Sequence, residues 1–126
     1  MRLVDTSAWI EWLIDSTTGQ AVGDVLPGRD TWLVPTIVQF ELVKWLSREV
    51  GEEKADQVIA FTERCVVIPL DTRLALAAAE ASMRHRLAMA DAIVYSTAQA
   101  YSADLLTCDA HFDGSPGVML LLKTSR

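Results

Sequence analysis

Short apolar runs alternate with longer stretches of helical periodicity along this chain of 126 residues. Residues 2–4, 32–34, 65–70, 105–107 and 118–122 are β-prone and bordered by turn or helix-start residues, so each is predicted as a strand. Helical spacing of apolar positions predicts helices at 7–14, 17–26, 36–50, 52–64, 72–85 and 89–101. Their ends carry signals. Asp5 or Thr6 can cap the first, Thr36 and Gln39 form a Thr-x-x-Gln capping box, and Asp71 can cap the Ala-rich helix. Pro27-Gly28 ends the second helix and Gly51 ends the third. Strands separated by helices imply parallel pairing, hence an α/β fold in which helices cover both faces of a central sheet as a three-layer sandwich. No linker or internal repeat interrupts the pattern, and Gly114-Ser115-Pro116-Gly117 reads as a turn before the last strand. Residues 1–126 are therefore expected to form a single domain.

Composition supports a packed core: 51% of residues are hydrophobic and mean hydropathy is +0.22. No apolar run approaches the roughly 20 residues that span a bilayer. The opening MRLVDTSAW has a carboxylate at position 5 and reads as a first strand, not a signal peptide. Cys65 and Cys108 form no CxxC pair and cannot build a disulfide framework, so reduced thiols and a cytoplasmic location are expected.

Four carboxylates change the picture. Asp5, Glu41, Asp91 and Asp109 interrupt or border apolar runs, where an ionised side chain is unfavourable without a partner. Sites in an open parallel sheet form beyond the carboxyl ends of the strands. Asp5 directly follows the first strand and Asp109 follows the strand ending at Thr107, so both belong to that edge. Glu41 lies in the first turns of the helix after the second strand, and Asp91 opens the helix before the fourth. Clustered carboxylates repel one another unless they share a cation. Oxygen donors without His or Cys nearby favour Mg²⁺ or Mn²⁺ over Zn²⁺, and such ions assist phosphodiester hydrolysis. Each acid also has a purely structural explanation: Asp5 as a cap, Glu41 paired with Lys44, Asp91 as a helix-start acid, Asp109 in a turn.

Net charge is −6, which by itself argues against tight nucleic-acid binding. Setting the four acids aside leaves 13 of the 17 acids against 11 bases, a balance of −2. Bound divalent ions would reverse the local sign, so acidity does not exclude a phosphodiester substrate.

The motifs around these acids resemble those of PIN-domain ribonucleases of the VapC toxin type, over nearly the whole chain. LVDTSAWIEWL is similar to that family's first motif, with the metal-binding acid at Asp5 and a supporting hydroxyl at Thr6 or Ser7. VPTIVQFELVKWL resembles the second, with Glu41. LAMADAIVYSTAQAYSADLLTCDAHF resembles the third and fourth, with Asp91 and Asp109, and is the most specific stretch. The resemblance implies a PIN fold with a parallel sheet of about five strands and a Mg²⁺- or Mn²⁺-dependent endoribonuclease using Asp5, Glu41, Asp91 and Asp109. It further implies an RNA substrate, a homodimer, a small cognate antitoxin and no membrane partner. Many relatives carry another acid two residues after the position of Asp109. Here His111 stands there, which implies one firmly held metal rather than two; Asp113 is near but out of register.

Other residues invite weaker readings. Thr107 is expected to support Asp109 by hydrogen bonding. His111 reads as a surface-loop histidine or a leaving-group contact, and His85 as a helix-end cation between Arg84 and Arg86, which are themselves candidate phosphate contacts. Trp9 and Trp12, three apart on one helix, read as core or as a subunit or antitoxin contact; Trp32 and Trp45 read mainly as packing. Two further classes compete. A phosphoacceptor domain would need a second acid near Asp5 and a well-placed Lys, whereas position 7 is Ser and Lys123 is poorly placed. A non-catalytic PIN-like binding module would not need all four acids.

Overall fold

A computed structural model describes residues 1–123. Five strands and six α-helices follow one another as β1 (Arg2–Val4), α1 (Thr6–Leu13), α2 (Thr17–Gly23), β2 (Trp32–Pro35), α3 (Thr36–Glu49), α4 (Glu52–Thr62), β3 (Val66–Ile68), α5 (Thr72–His85), α6 (Met89–Ala100), β4 (Asp104–Thr107) and β5 (Val118–Leu120). The strands form one sheet in the order β3-β2-β1-β4-β5, and every pairing is parallel. Parallel neighbours need crossover connections, and helix pairs supply three of them. The connection from β4 to β5 is shorter and holds a 3-10 turn at Ala110–Phe112. Phe112 is fully buried and anchors that turn in the core.

The central strands are covered on both faces. Leu3, Val4, Leu33, Val34, Leu105 and Leu106 are all buried, as continuous apolar strands of a parallel sheet require. The fork between the Arg2 guanidinium and the Asp104 carboxylate, two bonds of 2.9 Å, pins β1 to β4 at their amino ends. It also holds the Asp104 carboxyl below the usual carboxylate range. Register then carries Val4 opposite Leu106.

Several local signals resolve differently from their sequence reading. Asp71 caps α5 as predicted, accepting from the Leu74 N–H at 2.9 Å. The Thr36 capping box does not form: Pro35 is the N-cap and no side chain caps it. Gln39 instead donates to Thr62 Oγ1 at 3.0 Å and ties α3 to α4, a tertiary contact outcompeting a local one. The run 65–70 is a three-residue edge strand with Val66 and Val67 half-buried, because β2 covers only one of its sides. The chain reverses between α3 and α4 at Gly51, whose φ of +138° favours glycine.

Trp9 and Trp12 point inward. With Trp32 and Phe61 they form an aromatic cluster, with Trp9–Trp32 centroids 4.7 Å apart and Trp32–Phe61 centroids 5.3 Å apart. Trp9 is fully buried, so it offers nothing to a subunit or antitoxin contact. The indole N–H groups of Trp9 and Trp32 find no acceptor among the described residues, a cost of about 1–3 kcal/mol each that the aromatic packing must exceed. The cluster rests on a close approach of α1 and α2. A Cβ at Gly19 would stand 1.8 Å from the Glu11 carbonyl oxygen, so only glycine fits there.

Candidate active site at the carboxyl ends of the strands

Strand order reverses at β1: the chain moves outward to β2 and β3, then returns to place β4 on the other side of β1. Connections leaving adjacent strand ends in opposite directions open a crevice there. Asp5 occupies this point. Its N–H donates to the Leu106 carbonyl at 2.8 Å, extending the β1–β4 ladder by one residue. Its carboxylate oxygen Oδ2 accepts from Thr107 Oγ1 at 2.8 Å and from Ser7 Oγ at 3.1 Å. Asp5 is the N-cap residue of α1, yet its side chain makes no capping bond.

The Asp5 side chain is turned to a different task. The residue is only 5% exposed. Burial pushes its carboxyl up to about 6, against the lowering by the Thr107 and Ser7 hydroxyls, and the Asp91 charge adds to the rise. Thr107 connects the two strand ends: its hydroxyl donates to Asp5 and accepts the Asp109 N–H at 3.0 Å. Ser7 performs a parallel function, accepting the Cys108 N–H at 3.0 Å.

Asp91 and Asp109 meet from different elements. Asp91 lies in the first turn of α6 with its side chain 19% exposed, and Asp109 follows β4 with its side chain 30% exposed. Burial raises the Asp91 carboxyl and the neighbouring Asp109 charge adds to this, while a hydrogen bond to His111 opposes it. His111 Nδ1 lies 3.1 Å from Asp91 Oδ2 and 3.1 Å from Asp109 Oδ2. Ligand atoms from Asp91, Asp109 and His111 lie within 4.8 Å of one another. Glu41 enters from α3, where Thr6 Oγ1 donates to its Oε1 at 2.6 Å. It belongs to no such close group among the described residues.

These donors suit a divalent cation. A buried carboxylate held by two hydroxyls and the Thr6 backbone N–H stands near a half-buried carboxylate pair, a set that an ion would neutralise. Lys123 lines a surface pocket with Ser7, Cys108 and Asp109, and its Nζ lies 3.9 Å from Glu11 Oε2.

The family model described as PIN domain matches residues 2–115. The chain belongs to the PIN-domain family. No curated protein matches the sequence, but solved structures share the fold. A chain of a toxin–antitoxin complex from Klebsiella pneumoniae superposes with a TM-score of 0.84 at 19% identity, covering 98% of this chain and 100% of that one. VapC20 from Mycobacterium tuberculosis, a toxin that cleaves the sarcin-ricin loop, gives 0.78 at 19% identity, covering 94% and 97%. A chain of VapBC2 from Rickettsia felis, bound to a DNA fragment from its promoter, gives 0.72 at 18% identity, covering 94% and 96%.

In this PIN domain the sequence-predicted residues fall into three groups. Asp91 and Asp109 converge; Asp5 sits at the adjoining strand end, linked through Thr107 to the Asp109 backbone but outside their close group; Glu41 is oriented by Thr6 and is also outside it. Thr6, Ser7 and Thr107, read as supporting hydroxyls, each touch one of the acids or its backbone. Glu41 does not pair with Lys44, whose ammonium lies 6.0 Å from the centroid of the Phe40 ring. Arg84 pairs with Glu80 at 2.7 Å, and the His85 ring meets Tyr95 edge-on. Asp113 is exposed and outside the cluster. His111 is the residue that sequence reasoning undervalued. Its spacing from Asp109 was the available signal: in a 3-10 turn, the residue two positions on can reach back to the acid.

Proposed function

We propose that this PIN domain is a metal-dependent endoribonuclease and the toxin of a toxin–antitoxin pair. The observation that carries the reading is the convergence of Asp91 and Asp109 beside Asp5 at the strand-order reversal, on the scaffold of a nuclease family. Asp5, Glu41, Asp91 and Asp109 would hold Mg²⁺ or Mn²⁺ directly or through water. A divalent cation there supplies Lewis acidity toward a water and a phosphoryl oxygen. The chain's own residues do the positioning. Thr107 and Ser7 fix the Asp5 carboxylate, and Thr6 fixes Glu41. The elevated Asp5 carboxyl must lose its proton for the site to fill, which it does near neutral pH. Burial of Asp5 keeps bulk water from competing for its oxygens.

An antitoxin and a second copy of the chain are proposed as protein partners. Support comes from the toxin–antitoxin complexes that share this fold. It also comes from apolar side chains left exposed, among them Phe40 on α3, Leu76 and Met83 on α5, and Met89 at the start of α6. No described helix is long and apolar enough to cross a membrane, and Cys65 and Cys108 are unpaired thiols, consistent with a reducing cytoplasm.

Expression in a bacterial host tests the reading. The wild-type chain is expected to arrest growth and fragment cellular RNA. The Asp91→Ala chain should do neither, and co-expression of a small reading frame from beside the gene should relieve the arrest. Equal arrest by wild type and Asp91→Ala would refute the nuclease assignment.

A further inference from the structure

We infer that His111 is a nitrogen ligand of the divalent cation in this PIN domain, and that the site therefore prefers Mn²⁺ or another borderline cation to Mg²⁺. The inference rests on the proposal that the clustered acids hold a cation, and it concerns a residue outside the four-acid set.

Three features of His111 support it. The first is position. Nδ1 faces Asp91 Oδ2 and Asp109 Oδ2 at 3.1 Å each. Neighbouring ligands about 2.1 Å from an octahedral ion stand about 3.0 Å apart, so Nδ1 already has the separation of an adjacent ligand from each carboxylate oxygen, and the three ligand atoms lie within 4.8 Å of one another. The second is preorganisation. The His111 N–H donates to Asp109 Oδ1 at 2.9 Å, which holds the 3-10 turn. The two Asp109 oxygens thereby divide: Oδ1 fixes the backbone of His111 and Oδ2 faces its ring. The third is freedom to rotate. The side chain is 70% exposed, so the imidazole is not held there by packing and its place follows from the polar groups it faces.

An imidazole in place of a carboxylate lowers the negative charge of the site and softens its donor set. Mg²⁺ binds through carboxylates and retains its waters, whereas imidazole nitrogen suits transition metals. The opposing account has a protonated His111 neutralising Asp91 and Asp109 and competing with the cation. The two accounts differ in sign. Removing a ligand weakens metal binding, while removing a competing cation strengthens it.

The test uses the intact chain with Mn²⁺ or Mg²⁺ alone as the probe, comparing wild type, His111→Ala, His111→Asp and Asp91→Ala. Because His111 is exposed, its variants are expected to unfold at the wild-type midpoint. Pulsed EPR of the Mn²⁺-loaded wild type should record a ¹⁴N coupling that both His111 variants lose. Calorimetry should find Mn²⁺ affinity about tenfold lower in His111→Ala with Mg²⁺ affinity changed less, and the preference moved back toward Mg²⁺ in His111→Asp. Bound Mn²⁺ without a ¹⁴N coupling, or tighter binding by His111→Ala, would overturn the ligand role and leave the acid site standing. Failure of the wild type to bind Mn²⁺, or equal binding by Asp91→Ala, would overturn the acid site and the ligand role together.

Discussion

The first helix joins two regions built on opposite principles. At its start, Asp5, Thr6 and Ser7 hold a buried carboxylate beside other acids, where burial works against ionisation. One to two turns later, Trp9 and Trp12 pack against Trp32 and Phe61, where burial is the source of stability. The aromatic region tolerates two unpaired indole N–H groups because packing outweighs them. In the acidic region the Thr107 and Ser7 hydroxyls and His111 offset burial and repulsion only in part, since the Asp5 and Asp91 carboxyls remain raised; protonation or a cation would relieve the rest. One helix thus carries a stabilising end and an end whose strain, on the proposed reading, serves function.

The contrast makes its largest demand on Trp9. Trp9→Ala is expected to destabilise the chain by about 4 kcal/mol, read from urea unfolding, while any protein that remains folded keeps its metal affinity. A Trp9 variant with normal stability would remove the distinction between the two ends.

Asp91→Ala should do the reverse. On the proposed reading Asp91 is an inner ligand, and its loss is expected to lower RNA cleavage by more than about 100-fold, beyond the usual 10–100-fold effect of outer partners, with the unfolding midpoint held or raised. A fall in stability matching the fall in activity would mean that the acids are structural.

Asp5→Asn sharpens the point further. A carboxyl held near 6 when folded and near 3.8 when unfolded keeps its proton in the folded state between those values. The metal-free protein should therefore lose stability as pH rises from about 4 to about 6 and change little above that on this account. At pH 7.5 the Asn variant should be more stable than wild type by about 2 kcal/mol, while cleavage is lost. A wild-type stability that rises across that window, with no gain from Asn, would show that Asp5 is not strained. The smallest effect is expected for Thr107→Val, which removes the hydroxyl shared by Asp5 and the Asp109 N–H. It should reduce metal affinity about tenfold.

Much of this arrangement was legible in the sequence because it is local. Alternation of apolar and helical stretches predicts the order of strands and helices. The positions of Asp5 and Asp109 just after β-prone runs predict a shared sheet edge, and the two residues lie there. What was not legible depends on distant pairing. Gln39 leaves its capping box for Thr62, 23 residues away. Trp9 turns inward because Trp32 and Phe61 arrive from other elements. His111 meets Asp91 across 20 residues of chain, so its neighbours in sequence say little about its partners in space. Glu41 shows the converse limit, since its place on α3 was evident but its separation from the closest acid group was not.

The central claim is that the acids at the carboxyl edge of the sheet form a cation-dependent RNA-cleaving centre. Its most direct test is incubation of purified, antitoxin-free protein with total bacterial RNA, with Mn²⁺ or Mg²⁺ or with a chelator, alongside Asp91→Ala prepared identically. The account predicts discrete fragments from the wild type only when the cation is present, and none from Asp91→Ala. Intact RNA with folded, Mn²⁺-bound wild type, or the same fragments from Asp91→Ala, would contradict it.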